Sequence, residues 1–254
     1  SSDAIQQMPF SIFPFVFNRD KLNILFNIQK QNLSPLSEFL EITRGFECGY
    51  GDESIGEEVT EYKLLPAESL SPYFVNEANH IYCKPNFKNT SKFKKKELFE
   101  STPKLLTKFT SNRIQFSLDN VGFYNTNSVY NCHLRDNSPI SYFYLLAVLN
   151  SNLISFWFNT AFLNVDTLFP HIQKNQLESI PILIPQENKV KIILEELAEK
   201  IMQNGRSEES KLLMMEVDSY IYRLYGLEYD EVRIIDPEFG YAKSEYESIL
   251  TNKS

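Results

Sequence analysis

The chain has 254 residues, and its 33 acidic residues outnumber its 25 Lys and Arg residues, which gives a formal net charge of -8. Hydrophobic residues make up 43% of the sequence and aromatic residues 14%, enough apolar material for a large core, so disordered and fibrous classes are excluded. The acidic balance argues against a protein whose whole surface is covered by nucleic acid.

Cysteine usage and the first residues indicate the cellular context. The three cysteines are an odd number without a CxxC pair, which favours a reducing compartment over a disulfide scaffold, and we expect a cytoplasmic protein. The sequence starts at Ser1 with neither an initiator Met nor a signal peptide. We therefore expect a C-terminal fragment of a longer protein.

Charge is unevenly distributed along the first half of the chain. Residues 41–61 carry seven acidic residues against one Arg, whereas residues 84–113 carry nine basic residues against two acidic ones. A basic block that contacts DNA phosphates requires one positive face on the folded protein. If the fold instead interleaves the block with Glu47, Asp52 and Glu53, the objection from net charge stands.

Alternating polarity predicts a β-hairpin near the middle of the chain. Apolar and polar residues alternate in Arg113–Leu118, which is the period of a half-buried strand. Lys104–Phe109 is its predicted partner across the turn residues 110–112. A further strand is predicted within residues 123–134.

A buried helix is predicted after this strand. Its N-cap is Ser138, Pro139 occupies the first turn, and the apolar run extends to Asn159. Three polar residues at 150–152 interrupt the run, so a buried helix is favoured over a membrane span, and we expect no membrane partner.

The C-terminal part is predicted to be helical. Residues 189–202 and 212–224 have the apolar spacing of amphipathic helices, and prolines bracket the run 180–185, which predicts an edge strand or connector. We predict an α+β (mixed α/β) fold: a twisted, hairpin-rich domain with a buried helix in residues 1–185. A C-terminal helical hairpin in residues 186–254 then packs on this domain or on the rest of the parent protein.

The sequence contains no G-x-S-x-G, Walker A or G-x-G-x-x-G motif. Asp52 with Glu61-Tyr-Lys63 weakly matches the acid…Glu-x-Lys pattern of metal-dependent nucleases, in which carboxylates hold Mg²⁺. A zinc site from His80, Cys83 and Cys132-His133 is another hypothesis, although neighbouring strand residues point to opposite faces. We assign no catalytic residue and no metal ligand.

Several strings follow one another along the chain: Leu36–Gly45, Pro103–Ile114, Leu118-Asp119, Tyr124–Tyr130, Tyr144–Leu153, Phe169–Ile172, Gln176–Ile182, Val217–Leu227 and Asp230–Val232. Together they resemble the TaqI-like C-terminal specificity domain of type IIG and related restriction–modification enzymes that methylate adenine N6. Leu-Asn-Ser followed by Ile-Pro-Ile also resembles type I specificity subunits. The methyltransferase core and its Asn-Pro-Pro-Tyr motif are absent from the sequence.

The resemblance implies a domain that recognises a DNA sequence and positions the target base for a catalytic domain outside this chain. The parent would be an adenine-N6 DNA methyltransferase, with or without a fused endonuclease, and would use S-adenosylmethionine, with Mg²⁺ left open. This chain alone would hold no cofactor. Its expected partners are double-stranded DNA and the methyltransferase domain of the same parent chain.

DNA contacts are expected from two loops and from the basic block, because Lys and Arg bind phosphates while Arg and Asn read guanine and adenine edges. The predicted contact residues are Arg44, Gly45, Tyr50, Lys94, Lys95, Lys96, Lys104, Lys108, Thr110, Ser111, Asn112 and Arg113. Ordinary solvated loops and turns are the alternative interpretation of these segments. Two other functions stay open: a protein–protein interaction module built on the acidic helices and, less strongly, the metal-dependent nuclease.

Overall fold

The computed structural model describes residues 19–49, 51–162 and 170–250. Its helices are α1 (Arg19–Gln29), α2 (Glu97–Glu100), α3 (Tyr142–Asn150), α4 (Asn152–Phe162), α5 (Lys174–Glu178), α6 (Asn188–Asn204), α7 (Glu208–Leu224), α8 (Tyr229–Ile235) and α9 (Lys243–Ser248). Its strands are β1 (Leu33–Pro35), β2 (Leu40–Arg44), β3 (Ile55–Gly56), β4 (Tyr62–Leu64), β5 (Ile81–Cys83), β6 (Lys104–Lys108), β7 (Phe116–Asp119), β8 (Val129–Leu134) and β9 (Pro181–Leu183). The α+β prediction is confirmed.

An antiparallel sheet of four strands, in the order β2-β8-β6-β7, forms the centre of the fold. β6 and β7 are the predicted hairpin, with Lys104 opposite Asp119. Their connection covers residues 109–115 and is longer than the predicted turn, because the β6–β7 ladder ends at Thr107 and the buried Ile114 lies outside it. β8 pairs with both β2 and β6, so the third predicted strand is a central one.

Both faces of β7 are buried, whereas its alternating sequence predicts one exposed face. Ser117 occupies a position predicted to be exposed, but its hydroxyl donates a hydrogen bond to the carbonyl oxygen of Ser71 at 2.7 Å. The segment that follows Ser71 also pairs with the edge of β7, since Tyr73 forms a backbone bridge with Ser117. A polar residue of an alternating strand is thus buried because a distant loop satisfies its hydrogen bond.

A smaller sheet, in the order β3-β5-β4, lies in the segment between β2 and β6. An aromatic cluster joins it to the central sheet. The ring centroids of Phe46 and Phe99 are 4.6 Å apart, and Phe99 stacks on Tyr124 at 4.8 Å. Tyr124 follows β7 in the sequence, so these rings fix the loop that leads into β8.

The long apolar run forms two helices that meet at Ser151 with a bend of 61°. The N-cap of α3 is Ser141, which accepts the backbone N–H of Tyr144 at 3.1 Å. The predicted cap at Ser138 is wrong, because its hydroxyl donates to the carbonyl oxygen of Ile140. In the described part of the chain, no single helix is long and apolar enough to span a membrane, although α3 and α4 together reach that length and composition.

The C-terminal helices pack against the two buried helices, α6 on α3 and α7 on α4. α6 and α7 form the predicted helical hairpin, with Gly205 at φ +61° after α6. α6 packs on α3, and one hydrophobic core extends from Ile24 in α1 to Tyr246 in α9. The predicted domain boundary at residue 186 therefore lies inside one continuous core. β9 pairs with β1 in a two-stranded sheet, as expected of an edge strand.

Candidate nucleic-acid interface

The register of the central sheet brings several predicted contact residues to one end. Arg44 and Lys108 are the last residues of β2 and β6, and both lie opposite the first two residues of β8. The hairpin connection 109–115 and the loop 125–128 leave the sheet at the same end. We call Arg44, Lys108 and these two segments the sheet tip.

Arg44 is held by contacts within the protein. Its Nε donates to the carbonyl oxygen of Asn127 at 2.8 Å, and its Nη2 donates to the same oxygen at 2.5 Å. Its guanidinium carbon lies 4.0 Å from the ring centroid of Phe109, a cation–π contact. Arg44 thus fixes the loop 125–128, whereas the sequence predicts that it reaches the DNA directly.

Gly45 lies against the same loop and is buried. A Cβ atom at this position would lie 2.3 Å from Oδ1 of Asn125 and 2.5 Å from the carbonyl oxygen of Thr126. The N–H of Gly45 donates to the carbonyl oxygen of Val129 at 3.0 Å. The predicted contact with the DNA backbone is therefore wrong: glycine is needed here because the chain's own backbone approaches closely.

The loop 125–128 is also fixed from within the sheet. The buried amides of Asn125 and Asn131 donate to each other's Oδ1, both at 2.9 Å. Asn127 is half-buried, and its Nδ2 lies 3.5 Å from Oε2 of Glu47. The loop therefore presents Asn127 on a rigid support, which suits a recognition site.

The hairpin connection contains the exposed polar side chains of the sheet tip. Asn112 and Arg113 are exposed, while Ser111 is half-buried and closes the turn by donating its hydroxyl hydrogen to the carbonyl oxygen of Arg113 at 2.6 Å. Nη2 of Arg113 donates to Oδ1 of Asn152 at 2.8 Å, and its Nε donates to Oγ of Ser155 at 3.2 Å. These bonds tie the hairpin to the start of α4.

His171 is not among the residues that the sequence predicts as DNA contacts, and the structure brings it to the sheet tip. It forms a backbone bridge with the half-buried Thr110, and the N–H of Ile172 donates to the carbonyl oxygen of Phe109 at 2.7 Å. Its exposed imidazole packs on the Phe109 ring with centroids 4.6 Å apart. Pro170-His171-Ile172 follows no local pattern that links it to the hairpin, so only the fold reveals this contact.

The basic block does not form a positive face of its own. Five of its lysines form ion pairs with acidic residues: Lys84 with Glu58, Lys92 with Asp52, Lys94 with Glu47, Lys96 with Glu100 and Lys104 with Asp119. Hydrogen bonds from Lys92 and Ser54 lower the pKa of Asp52 to about 2, so this carboxylate stays charged beside the lysine. Because acidic residues are interleaved with these lysines, the block offers no positive face to DNA, and the argument from net charge against DNA binding stands for this block.

The three adjacent lysines of the block differ in their surroundings. Lys94 lies 3.4 Å from Glu47, and Nζ of Lys96 lies 4.8 Å from the ring centroid of Tyr62. A hydrogen bond with Tyr62 is the main cause that raises the pKa of Lys96. Lys95 is exposed and has no ion-pair partner among the described residues. Of these three predicted phosphate contacts, Lys95 is therefore the one without an ion-pair partner among the described residues.

Lys104 is buried, so its predicted contact with DNA is wrong. Its side chain and that of Asp119 are both 0% exposed, and Nζ lies 2.6 Å from Oδ2 of Asp119. Nζ also donates to the carbonyl oxygen of Phe99. Burial lowers the pKa of Lys104 against the attraction of Asp119. Lys108 is half-buried at the sheet tip, and burial lowers its pKa as well.

The comparison with protein families identifies the type of domain. The model of the TaqI-like C-terminal specificity domain matches residues 55–182, which is half of the chain. The chain belongs to this family. A protein of Methanocaldococcus jannaschii named as a type II restriction enzyme and methyltransferase is 26% identical to this specificity domain over 231 residues. The alignment covers 84% of this chain and 19% of that relative.

Solved structures share the fold of the specificity domain. The type IIG restriction endonuclease BpuSI aligns with a TM-score of 0.53 at 14% identity, covering 88% of this chain and 34% of that chain. The HsdS subunit from Thermoanaerobacter tengcongensis aligns with a TM-score of 0.47 at 12% identity, covering 81% and 50%. The BpuSI alignment supports the fold alone, and it is the family match that makes the chain a specificity domain of the kind with which restriction–modification enzymes recognise DNA targets.

The metal-site hypotheses find no support within the described residues of the specificity domain, where no group of three or more His, Cys, Asp or Glu side chains could hold a metal ion. Asp52, the first acid of the nuclease pattern, is paired with Lys92 at 2.7 Å. Nδ1 of His80 lies 2.8 Å from the carbonyl oxygen of Glu77. Tyr50, a predicted DNA contact, lies outside the described residues.

Proposed function

We propose that the specificity domain recognises its DNA target through the sheet tip. The proposal rests on one observation: three separate segments meet at one end of the central sheet, namely the hairpin 109–115, the loop 125–128 and His171. Asn112 and Arg113 are exposed there, and Asn and Arg are the side chains that pair with adenine and guanine edges in the major groove. Membership of the family supports DNA recognition as the function, and the register of the sheet supports the sheet tip as the surface that binds the DNA.

The charge distribution suggests that this domain contributes sequence selectivity more than affinity. Its net charge is -8, and five lysines of the basic block are paired with carboxylates. Phosphate contacts and the salt dependence that accompanies them come from Lys and Arg. We therefore propose that the catalytic region of the parent supplies most phosphate contacts, with a smaller share from Lys95 and Lys108.

We propose that the parent enzyme is an adenine-N6 DNA methyltransferase of the cytoplasm. The name of the Methanocaldococcus jannaschii relative, of which this chain spans 19%, supports a methyltransferase, and the three free buried cysteines support a reducing compartment. The choice of adenine N6 rests on the sequence resemblance alone. S-adenosylmethionine would bind in the catalytic region, and Mg²⁺ would be needed only by a parent that also cleaves DNA. This chain would position the target base and take no part in the methyl transfer.

The helical hairpin α6–α7 is suited to contact the methyltransferase region. It exposes the apolar side chains of Ile192, Leu212 and Met215, of which Leu212 is 66% exposed. The helix α6 balances three Glu with three Lys, and α7 carries four acidic residues against two basic ones, so the hairpin offers no excess of positive charge to DNA phosphates. Apolar side chains of this size are enriched at protein interfaces when they form a patch. The interaction-module hypothesis thus becomes a second role of the same chain.

Recognition by the sheet tip can be tested in the parent enzyme, together with its methyltransferase region. Asn112→Ala and Arg113→Ala are each expected to weaken discrimination at one base pair about 10- to 100-fold, or about 1–3 kcal/mol, in competition binding with a duplex library. Asn204→Ala, at the exposed end of α6, is the matched control and should leave the recognised sequence unchanged.

Thermal melting of each variant separates recognition from folding, because Arg113 also binds Asn152 and Ser155 while Asn112 does not. If both tip variants melt like the wild type and keep its full selectivity at every position, DNA recognition by this part of the sheet tip is refuted.

A further inference from the structure

We infer that Asn127 reads an adenine of the DNA target and that Arg44 is the positioning residue that holds it in place. The inference rests on the proposed function of the sheet tip and names one of its reading residues. Asn127 lies in the loop 125–128, directly beside the hairpin, because the N–H of Phe109 donates to the carbonyl oxygen of Ser128 at 2.8 Å. Both segments would therefore face the same stretch of duplex.

The backbone of Asn127 is held by more contacts than the hydrogen bond that closes a simple turn. Two guanidinium nitrogens of Arg44 bind the single carbonyl oxygen of Asn127, and the same guanidinium packs on Phe109. The exposed turn at 86–89 is held differently: the N–H of Asn89 donates to the carbonyl oxygen of Asn86 at 2.9 Å, the Asn86 and Asn89 side chains accept nearby backbone N–H groups, and Phe87 packs against Phe46. A charged side chain committed to one loop carbonyl indicates that the position of this loop matters.

Residues beneath Asn127 make the loop rigid. The reciprocal amide pair of Asn125 and Asn131 is fully buried, and the N–H of Phe46 donates to the carbonyl oxygen of Asn125 at 2.9 Å. Gly45 leaves no space between β2 and this loop for a side chain. Preorganised polar groups on rigid strands give more selective recognition than groups on mobile loops.

The side chain of Asn127 has the chemistry of an adenine reader. Its backbone carbonyl is turned toward Arg44, while its half-buried side-chain amide lies 3.5 Å from Glu47, at the outer limit of a hydrogen bond. An amide offers one acceptor and donors in the geometry that matches N6 and N7 of adenine. Lys94 lies 3.4 Å from Glu47 and offsets its charge beside this site.

The test uses the parent enzyme with its methyltransferase region and duplexes in which each target adenine is replaced in turn by 7-deazaadenine, which lacks the N7 acceptor. Wild-type enzyme should lose affinity about 10-fold at one of these positions, and Asn127→Ala should be insensitive to 7-deazaadenine there. Asn127→Ala should also relax selectivity at that base pair about 10- to 100-fold with an unchanged salt slope. Asn204→Ala is again the control.

Arg44→Lys tests the positioning role. A lysine cannot form the two-nitrogen contact with one carbonyl and the stacking on Phe109 at once, so selectivity should fall at the same base pair as in Asn127→Ala, while weak binding to random duplex and the salt slope stay unchanged. If Arg44→Lys lowers the salt slope instead, Arg44 is a phosphate contact and the positioning role is refuted.

The outcomes distinguish this inference from the proposed function. If Asn112→Ala relaxes selectivity but Asn127→Ala keeps the wild-type response to every 7-deazaadenine, the role of Asn127 is overturned and recognition by the sheet tip stands. If the wild-type enzyme has no sequence selectivity at all, both are overturned.

Discussion

Replacing Lys104 by Met decides whether this lysine stabilises the fold or contacts DNA. Lys104 and Asp119 are fully buried, and their ion pair joins β6 to β7. The Asp119 carboxylate also accepts the backbone N–H groups of Val121 and Phe123, at 2.8 and 2.9 Å. Lys104→Met would leave this carboxylate in the core with its backbone donors but without its cation, while the methionine fills much of the same volume.

The expected loss follows from burial. Removing one partner of a buried ion pair costs about 3–5 kcal/mol, and the backbone donors that remain on Asp119 favour the lower end, about 3 kcal/mol. Lys84→Met is the matched control, because Lys84 and Glu58 are 54% and 76% exposed. An exposed pair contributes about 0–1 kcal/mol, so this variant should unfold nearly like the wild type.

Urea denaturation followed by circular dichroism measures this loss. With a slope of about 3 kcal/mol per molar urea, Lys104→Met should lower the midpoint by about 1 M without changing the slope. The salt dependence of DNA binding by the parent enzyme should stay the same, whereas a lost phosphate contact would reduce its slope by about 0.9. A reduced salt slope together with a stability change below about 1 kcal/mol would refute the structural role of Lys104.

Other predictions concern buried polar groups and a close approach. Burial raises the pKa of Asp218 from 3.8 to about 7, so the folded state holds this proton where the unfolded state has lost it. The free energy of unfolding should therefore fall as pH rises from about 4 to about 7, and Asp218→Asn should remove that dependence in urea titrations. Gly45→Ala should lower stability by about 1–3 kcal/mol through overpacking, while Gly49→Ala, which meets no atom within 4 Å, should leave the melting temperature unchanged. Asn150→Leu should cost about 1–3 kcal/mol in chemical denaturation, since it leaves the buried N–H of Phe116 without its acceptor, while the Phe116 carbonyl keeps the N–H of Tyr73.

Local periodicity was sufficient to predict the hairpin and the helices. The alternation in Arg113–Leu118 and the helical spacing after residue 188 are properties of short windows, and the structure has β6–β7, α6 and α7 at these places. The turn length was not predictable in the same way, because beyond the last ladder pair the chain bonds to distant residues: the N–H of Phe116 to Asn150 and the N–H of Phe109 to Ser128. The cap of α3 at Ser141 likewise depends on packing, since Ser138 has an equally suitable side chain.

The site depends on contacts between distant segments, which single-sequence patterns do not encode. Lys92 binds Asp52, which is 40 residues away in the sequence, and Arg44 binds the carbonyl oxygen of Asn127, which is 83 residues away. In sequence, Asn125–Ser128 has the composition of an ordinary polar turn. Its position beside the hairpin becomes apparent only when β8 is inserted between β2 and β6.

The acidic charge of the specificity domain is consistent with the proposed division of labour in the parent enzyme. Phosphate contacts raise affinity for every sequence alike, whereas contacts to base edges raise it for the target alone. A recognition unit whose lysines are neutralised by neighbouring carboxylates, as Lys92 is by Asp52, adds little to non-specific binding. Because a genome offers a vast excess of non-target sites, the ratio of specific to non-specific affinity matters more than affinity itself. Directional contacts from a rigid, weakly charged tip increase this ratio, and for that reason a net charge of -8 is compatible with DNA recognition.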